Sequence, residues 1–282
     1  MSRLSITLIP RGGLANRMRA IASAVALVSD INANLTVVWI KTPDLSALFS
    51  DIFISDNLPF QLLELSHRHF SYLPHRLKYL YLPTICQDFK YRATLRDEMH
   101  TDRYYLIDAD AETIRAYFTA IGSGNILVDT CHEFYPYSAE FYRSLYQPSH
   151  QVVKRIKELY PTSGCRPIGL HIRRTDHIQA IKHSPISLFE DAIRHELSLN
   201  HQRIFYLASD DSETKNYLLR RFQENISTSP SPASRSSLNG MIDGAAEMFV
   251  LSKCESIIGS FNSSYSEAAA LLGEIPLQII KI

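Results

Sequence analysis

Four short stretches of this chain carry residues whose types and spacing suit the handling of an anion. The first is Arg11-Gly12-Gly13-Leu14-Ala15-Asn16-Arg17. Its glycines let a backbone come close to a ligand, and a helix starting near Asn16 would offer free amides to negative charge, with Asn16 and Arg17 adding side-chain donors. The same residues also suit an ordinary strand-to-helix turn, with Asn16 as a cap and Arg17 in solvent. The second is His171-Ile172-Arg173-Arg174-Thr175-Asp176, at the end of an apolar run of strand length. Two adjacent arginines beside a histidine are costly to take out of water unless they meet an anion, and a guanidinium forks onto phosphate oxygens. Asp176 is placed to hold one arginine by a salt bridge, and an internal Arg–Asp pair that only ties the loop down is the competing reading.

The third stretch is Ala208-Ser209-Asp210-Asp211. Paired carboxylates after a strand bind sugar hydroxyls, a base edge or a divalent ion, or else Asp211 or Ser212 caps the next helix. The fourth runs from Glu247 to Gly259-Ser260-Phe261-Asn262-Ser263-Ser264-Tyr265-Ser266-Glu267, with a glycine and four serines where a strand meets a helix. Amides and hydroxyls at a helix amino end form a phosphate-sized cradle. Ser264 and Glu267 have the spacing of a capping box, so some of these residues serve the helix in any case.

Other chemistries lack their motifs. The sequence has no G-x-S-x-G elbow, no G-x-x-x-x-G-K-[ST], no G-x-G-x-x-G and no H-E-x-x-H, which removes serine hydrolases, Walker-type NTPases, nicotinamide dehydrogenases and zincins as first readings. Four cysteines, at 86, 131, 165 and 254, are scattered without a C-x-x-C pair or a histidine at zinc-ligand spacing, and are read as reduced, mostly buried thiols. The expectation is an arginine-and-serine site with no metal and no cofactor.

The elements that must position these residues follow from hydrophobic periodicity. Residues 4 to 9 read as a strand, 11 to 13 as a turn, and Leu14, Met18, Ile21, Val25 and Val28 as the stripe of a helix; 35 to 40 is a second strand. Strand, glycine turn, helix, strand is a βαβ unit whose loop lies at the carboxyl end of a strand, where ligands favour such sheets. Residues 43 to 125, with His67, His69, Pro74, His75, Tyr79, Tyr81 and Pro83, show no sustained period and are assigned no elements. A strand at 126 to 128 and helices at 137 to 146 and 151 to 160 follow. Strands are then expected at 168 to 172, 203 to 208, 256 to 259 and 277 to 280, with helices at about 187 to 199, 212 to 223, 242 to 253 and 264 to 272 and a polar loop at 227 to 240.

The chain has 282 residues, nearly two domains at about 150 residues each. The expected boundary divides 1–150 from 151–282. Lysine plus arginine and aspartate plus glutamate both number 29, so no global field recruits nucleic acid or anionic lipid, and any basic site must be local. No run reaches the roughly 18 apolar residues that span a bilayer, and the apolar stretch after Arg3 is too short for a signal peptide. Cytoplasmic location is expected, and the sequons at Asn34, Asn225 and Asn262 are read as chance matches.

Taken together, RGGLANRMRAIASAVAL, GLHIRRTD, LASDD and LSKCESIIGSFNSSYSEAAALLG resemble, in order and spacing, the GDP-fucose fucosyltransferase superfamily, which includes nodulation and core α-1,6-fucosyltransferases and protein O-fucosyltransferases. The resemblance implies an α/β, GT-B-like architecture of two facing Rossmann-like domains, the first on the acceptor side and the second holding the nucleotide sugar. It implies an inverting, metal-independent transfer of fucose from GDP-fucose to a hydroxyl of a glycan or lipid-linked acceptor. By the same resemblance Arg173 contacts the donor β-phosphate, His171 lies near the nucleotide, and Arg174 and Asp176 hold the loop. Asn16, in the loop of Gly12 and Gly13, faces the reaction centre, and Ser260, Ser263 and Ser264 fall on the phosphate-binding stretch. Asp210 and Glu247 fall with the donor. Glu247 stands where the core enzymes carry an aspartate that reads guanine, and Ser264 where they carry glutamine. No clear match to their acidic residue follows Asp176, leaving Asp176 and His177 as candidates for the base. Other readings are a transferase for another GDP-sugar and a non-catalytic module that binds sugar nucleotide or glycan.

Overall fold

A computed structural model describes residues 3–66, 93–96, 109–161, 165–175, 177–230 and 233–282. The chain divides into two compact units, Met1–Tyr146 and Gln147–Ile282.

The first unit is built on five parallel strands, β1 (Leu4–Pro10), β2 (Asn34–Lys41), β3 (Gln61–Ser66), β4 (Ala93–Arg96) and β5 (Gly124–Thr130), in the order β3-β2-β1-β5-β4. Its described helices are α1 (Leu14–Asp30), α2 (Phe49–Ile52), α3 (Ala111–Ile121) and α4 (Ala139–Leu145). The apolar stripe predicted for α1 is buried, but so are Ala20, Ala22, Ser23 and Ala24 beside it. α1 is therefore a core helix rather than a surface one, and its one buried hydroxyl, Ser23 Oγ, donates to the Tyr135 carbonyl at 2.9 Å. The 43 to 125 stretch does contain elements. α2 is one helical turn and β4 four residues, shorter than the window over which a period shows. α3 has readable ends, since Thr113 N donates to Asp110 Oδ1 at 2.7 Å and Gly122 follows with φ +72°. Cys86 and the histidines, tyrosines and prolines singled out between 67 and 83 lie outside the described residues.

The second unit has β6 (Ile168–Ile172), β7 (Phe205–Ser209), β8 (Ile226–Thr228), β9 (Ile257–Ser260) and β10 (Leu277–Ile280), all parallel, in the order β10-β9-β6-β7-β8. Its helices are α5 (His150–Leu159), α6 (Ile178–His183), α7 (Ile186–Leu199), α8 (Ser212–Arg221), α9 (Leu238–Leu251) and α10 (Ser264–Gly273). β6 and β7 are buried along their whole length, which is why they read as continuous apolar runs. The polar stretch at 227 to 240 is not wholly loop. β8 occupies its start, and Ser237 caps α9 through a bond from Gly240 N at 3.1 Å, so that helix begins before the expected residue 242. α6 was not foreseen, because six residues between a turn and a proline hold less than two helical turns.

From β6 the chain moves to β7 and β8 on one side, and β9 and β10 return on the other. The sheet reverses between β6 and β9, and the crevice beyond their carboxyl ends is the preferred ligand position of such folds. The first unit has the equivalent gap between β1 and β5.

Close helix contact in the second unit needs a bare backbone at Gly273, where a Cβ would lie 2.1 Å from the Ser252 carbonyl oxygen. Gly273→Ala is expected to destabilise the protein by roughly 1–3 kcal/mol, seen as a lower urea midpoint. An unchanged midpoint would show that the α9 to α10 contact is looser than this.

Candidate functional site

Beyond β6 and β9, the two strands are joined by side chain and backbone together. Ser260 Oγ, at the end of β9, accepts from the Arg173 amide at 3.1 Å and donates to the His171 carbonyl at 3.3 Å. His171 is 7% exposed, with its Nδ1 2.7 Å from Ser266 Oγ and 3.4 Å from Ser263 Oγ. Tyr265 stacks on the imidazole with ring centroids 4.6 Å apart, and its hydroxyl donates to the Gly244 carbonyl at 2.5 Å. Burial pushes the His171 pKa down to about 4, with Arg173 adding to the effect and Asp210 opposing it. His171 is therefore neutral at physiological pH.

Ser263 is the N-cap of α10 but makes no side-chain cap, and Ser264 is the first helical residue. The Ser264–Glu267 capping box is thus absent, because the cap position falls one residue earlier, on Ser263, whose own hydroxyl is turned to His171. The α10 amino end, the Ser260 hydroxyl and the Arg173 loop converge on the gap between β6 and β9. Arg173 is partly exposed at this edge.

The loop of two arginines is latched by Asp210. Its carboxylate accepts from the amides of Arg174 and Thr175 at 2.8 and 3.2 Å, and from Thr175 Oγ1 at 2.7 Å. This is the loop-holding task that the sequence gives to Asp176, which lies outside the described residues. Arg174 Nη2 donates to the Ser184 carbonyl at 2.6 Å, while Nε and Nη1 are buried and have no partner among the described residues. Ser184 in turn donates to Ile280 O and accepts from Phe261 N, joining the loop to both returning strands. Asp211 caps α8, accepting from Thr214 N at 2.9 Å, as the alternative reading of that motif had it. His177 Nδ1 accepts from Ala180 N at 3.0 Å, so this nitrogen is used in capping α6. No group of three or more His, Cys, Asp or Glu that could hold a metal ion occurs among the described residues.

Glu247 sits deeper. It is 2% exposed, its Oε1 2.5 Å from Ser229 Oγ and 3.0 Å from Lys215 Nζ, and Lys215 is itself 4% exposed. Burial pushes the Glu247 carboxyl up, against the pull of Lys215. Lys215 and Ser229 were not singled out in the sequence, since nothing in spacing joins residues on α8, after β8 and on α9. Ser266 had a signal: it follows Ser263 by three residues and so shares its helical face.

In the first unit, the glycine loop has a different use for its arginine. Arg17 is 2% exposed, donating to Gly12 O at 2.9 Å, Ile40 O at 2.6 Å and Thr42 Oγ1 at 3.1 Å, with its guanidinium 4.9 Å above the Trp39 ring. Burial lowers its pKa to about 10, helped by Arg11. Arg17 is thus neither solvated nor offered to a ligand; it ties the loop to β2. Gly12 has φ +76°, and a Cβ there would meet Asn16 Nδ2 at 2.9 Å. Gly13, not Asn16, is the N-cap of α1, and Asn16 Oδ1 is buried without a partner among the described residues. Arg11 forks onto Asp129 at 2.5 and 2.7 Å across the gap between β1 and β5. Of the cysteines, Cys254 is buried, Cys131 half-buried and Cys165 exposed, fewer buried than expected.

Two parallel five-stranded sheets with covering helices, each with its conspicuous residues at a strand-order reversal, define an α/β protein of two Rossmann-like units. No protein-family model and no curated protein matches the chain. Among solved structures it is similar to NodZ α-1,6-fucosyltransferase co-crystallised with GDP, with TM-score 0.64 and 18% identity, over 96% of this chain and 93% of that one; a NodZ structure from Bradyrhizobium gives TM-score 0.63 at the same identity and coverage. A mutant of Arabidopsis thaliana FUT1 in complex with GDP gives TM-score 0.65 and 17% identity, over 99% of this chain and 70% of that one. POFUT1 in complex with GDP gives 0.55 and 11%, over 100% and 99%. The likeness establishes the fold, the GT-B-like α/β class that the motifs imply. No helix among the described residues is long and apolar enough to cross a membrane.

Two outcomes are expected from these geometries. Because the unfolded histidine protonates below about 6.5 and the folded one only near 4, the unfolded state binds more protons in that window, so acidification through it destabilises the native protein. The loss attributable to His171 is on the order of 3 kcal/mol, read as a steeper fall of the urea midpoint in wild type than in His171→Gln; parallel curves would contradict a buried neutral ring. Arg17→Met is expected to cost about 2–4 kcal/mol through the carbonyls it leaves unpaired, with a lowered melting temperature as the readout.

Proposed function

We propose that this chain is an inverting, metal-independent glycosyltransferase that transfers fucose from GDP-fucose to a hydroxyl of a glycan or lipid-linked acceptor, met in the cytoplasm. The observation that carries the reading is the meeting of Arg173, Ser260, Ser263 and neutral His171 at the β6–β9 reversal. It gains support from solved GDP complexes of the same fold. In this reading the second unit holds the donor and the first faces the acceptor.

The reaction is a direct displacement. The acceptor oxygen bonds to the anomeric carbon, the bond from that carbon to the β-phosphate oxygen breaks, and GDP leaves with the bonding electrons. Arg173, the amides at the amino end of α10 and the partly exposed Ser264 stabilise the charge that grows on the departing diphosphate. Arg174 supports this with Nε and Nη1, its donors without a partner among the described residues. Asp176 is assigned the acceptor proton, since His177 spends Nδ1 on a cap. Asn16, on the loop of Gly12 and Gly13, is assigned to the reaction centre with its Oδ1, which has no partner among the described residues.

Asp210 acts on the donor indirectly, through the loop it latches. Glu247 favours a second reading, a transferase for another nucleotide sugar or a module that binds one without turnover, because its Oε1 is already taken by Lys215 and Ser229.

Arg173→Ala is expected to keep the fold and lose about 10²–10³ in turnover; wild-type turnover in a folded variant would remove Arg173 from the site. In a thermal-shift panel of GDP, UDP, ADP, GDP-fucose and GDP-mannose, with and without EDTA, the proposal expects stabilisation by GDP compounds alone, unaffected by EDTA. A shift with no nucleotide would sink the donor-site assignment, and binding without turnover on an acceptor panel would select the non-catalytic module.

A further inference from the structure

Ser263 and Ser266 are completely buried, and a buried hydroxyl hydrogen without an acceptor is costly. Among the described residues the partner of both hydroxyls is the same atom, His171 Nδ1, at 3.4 and 2.7 Å. If that nitrogen carried a hydrogen, two buried hydroxyls would surround a donor, and neither would have an acceptor for its own proton. With a lone pair on Nδ1, Ser266 Oγ donates to it, and 2.7 Å is the short separation characteristic of a hydroxyl donor. The single ring hydrogen of a neutral imidazole then sits on Nε2.

The surroundings hold this arrangement still. Tyr265, next to Ser266 on α10, covers one face of the ring, and its hydroxyl is anchored on Gly244 O of α9. Gly259 on β9 leaves the space that Ser266 occupies, for a Cβ at 259 would lie 2.7 Å from Ser266 Oγ. The charged groups acting on the ring are Arg173, at the end of its own strand, and Asp210, beyond β7. They act in opposite directions, and burial outweighs both.

We propose that Ser266 is a positioning residue which, with Tyr265 on the ring face and Gly259 leaving it room, holds His171 as the neutral Nε2–H tautomer, making it a fixed hydrogen-bond donor to an anionic oxygen of the bound nucleotide rather than a proton-transfer group. The two ring nitrogens diverge, so Nε2 is turned away from Ser266. A neutral donor keeps its hydrogen across the working pH range, and an anion bound to it takes up no proton. The ligand side of this proposal rests on the donor-site reading; the tautomer does not.

Long-range proton–nitrogen NMR spectra of the full chain with ¹⁵N-labelled histidine test it directly, the His171 signals being assigned by their loss in His171→Gln. The expected wild-type result is the Nε2–H pattern, unchanged from about pH 5 to 8. Ser266→Ala is expected to give mixed tautomers and to weaken GDP binding about tenfold, while the other histidine signals stay in place. An Nδ1–H pattern in wild type, titration near the ordinary histidine value of about 6.5, or an unchanged tautomer in Ser266→Ala would each overturn the proposal. If wild type shows the Nε2–H form yet binds no nucleotide, the donor-site reading and the ligand named here fall, and the positioning role of Ser266 stands on the spectrum alone.

Discussion

Two neighbouring parallel strands that run on into diverging connections lose their mutual hydrogen bonds at their last residues, and the site of the second unit depends on how that opening is bridged. Here the bridge is one hydroxyl. Ser260 Oγ takes the Arg173 amide and gives to the His171 carbonyl, fixing the start of the arginine loop to the end of β9. From this bond the rest follows. Arg173 is placed at the sheet edge, His171 is kept beneath it, and the α10 amino end is brought in by the two residues between Ser260 and Ser263. Gly259 admits Ser266, and Ser266 reaches the imidazole.

The electrostatics of the chain are local in the same sense. With no net charge, attraction of an anion depends on a few groups held with little freedom. Asp210 shows how that is done. Its carboxylate spends itself on two amides and a hydroxyl of the loop, so that it orders the arginine loop through its backbone. Glu247 and Lys215 are the contrasting case, a nearly dry pair whose attraction has to offset two desolvation costs. Such a pair joins α8 to α9 and the segment after β8, and removing one partner would raise the cost of keeping the other charge buried.

The two units use one architecture with opposite allocation of arginine. In the first, Arg17 turns inward to carbonyls and to Trp39, and Arg11 is paired with Asp129 across the strand gap. In the second, Arg173 is partly exposed at the sheet edge, and Arg174 has two nitrogens without a partner among the described residues. A glycine loop followed by an arginine looks alike in both roles on paper. What separates them is whether carbonyls of a neighbouring strand lie within reach, as those near Ile40 do for Arg17.

The apolar runs of β1, β2, β6 and β7 and the helices α1, α7 and α8 were legible because each carries a continuous apolar run or an apolar stripe that matches its burial. The site motifs were legible too, each being contiguous: the Arg173 loop and the Ser260–Ser266 stretch stand at strand ends read directly from the sequence. Short elements such as α2, α6 and β8 were not, because three to six residues without a continuous apolar run carry too little pattern. Nor were the pairings. By itself the sequence determined the alternation of strand and helix and the residues standing at the strand ends, since these depend on neighbours within a turn or two. Only the tertiary structure decided that Arg17 faces inward, that Asp210 latches the loop, that Glu247 is bound to Lys215 and that Ser266 holds His171, because each joins residues far apart in the chain whose meeting is set by strand order and burial.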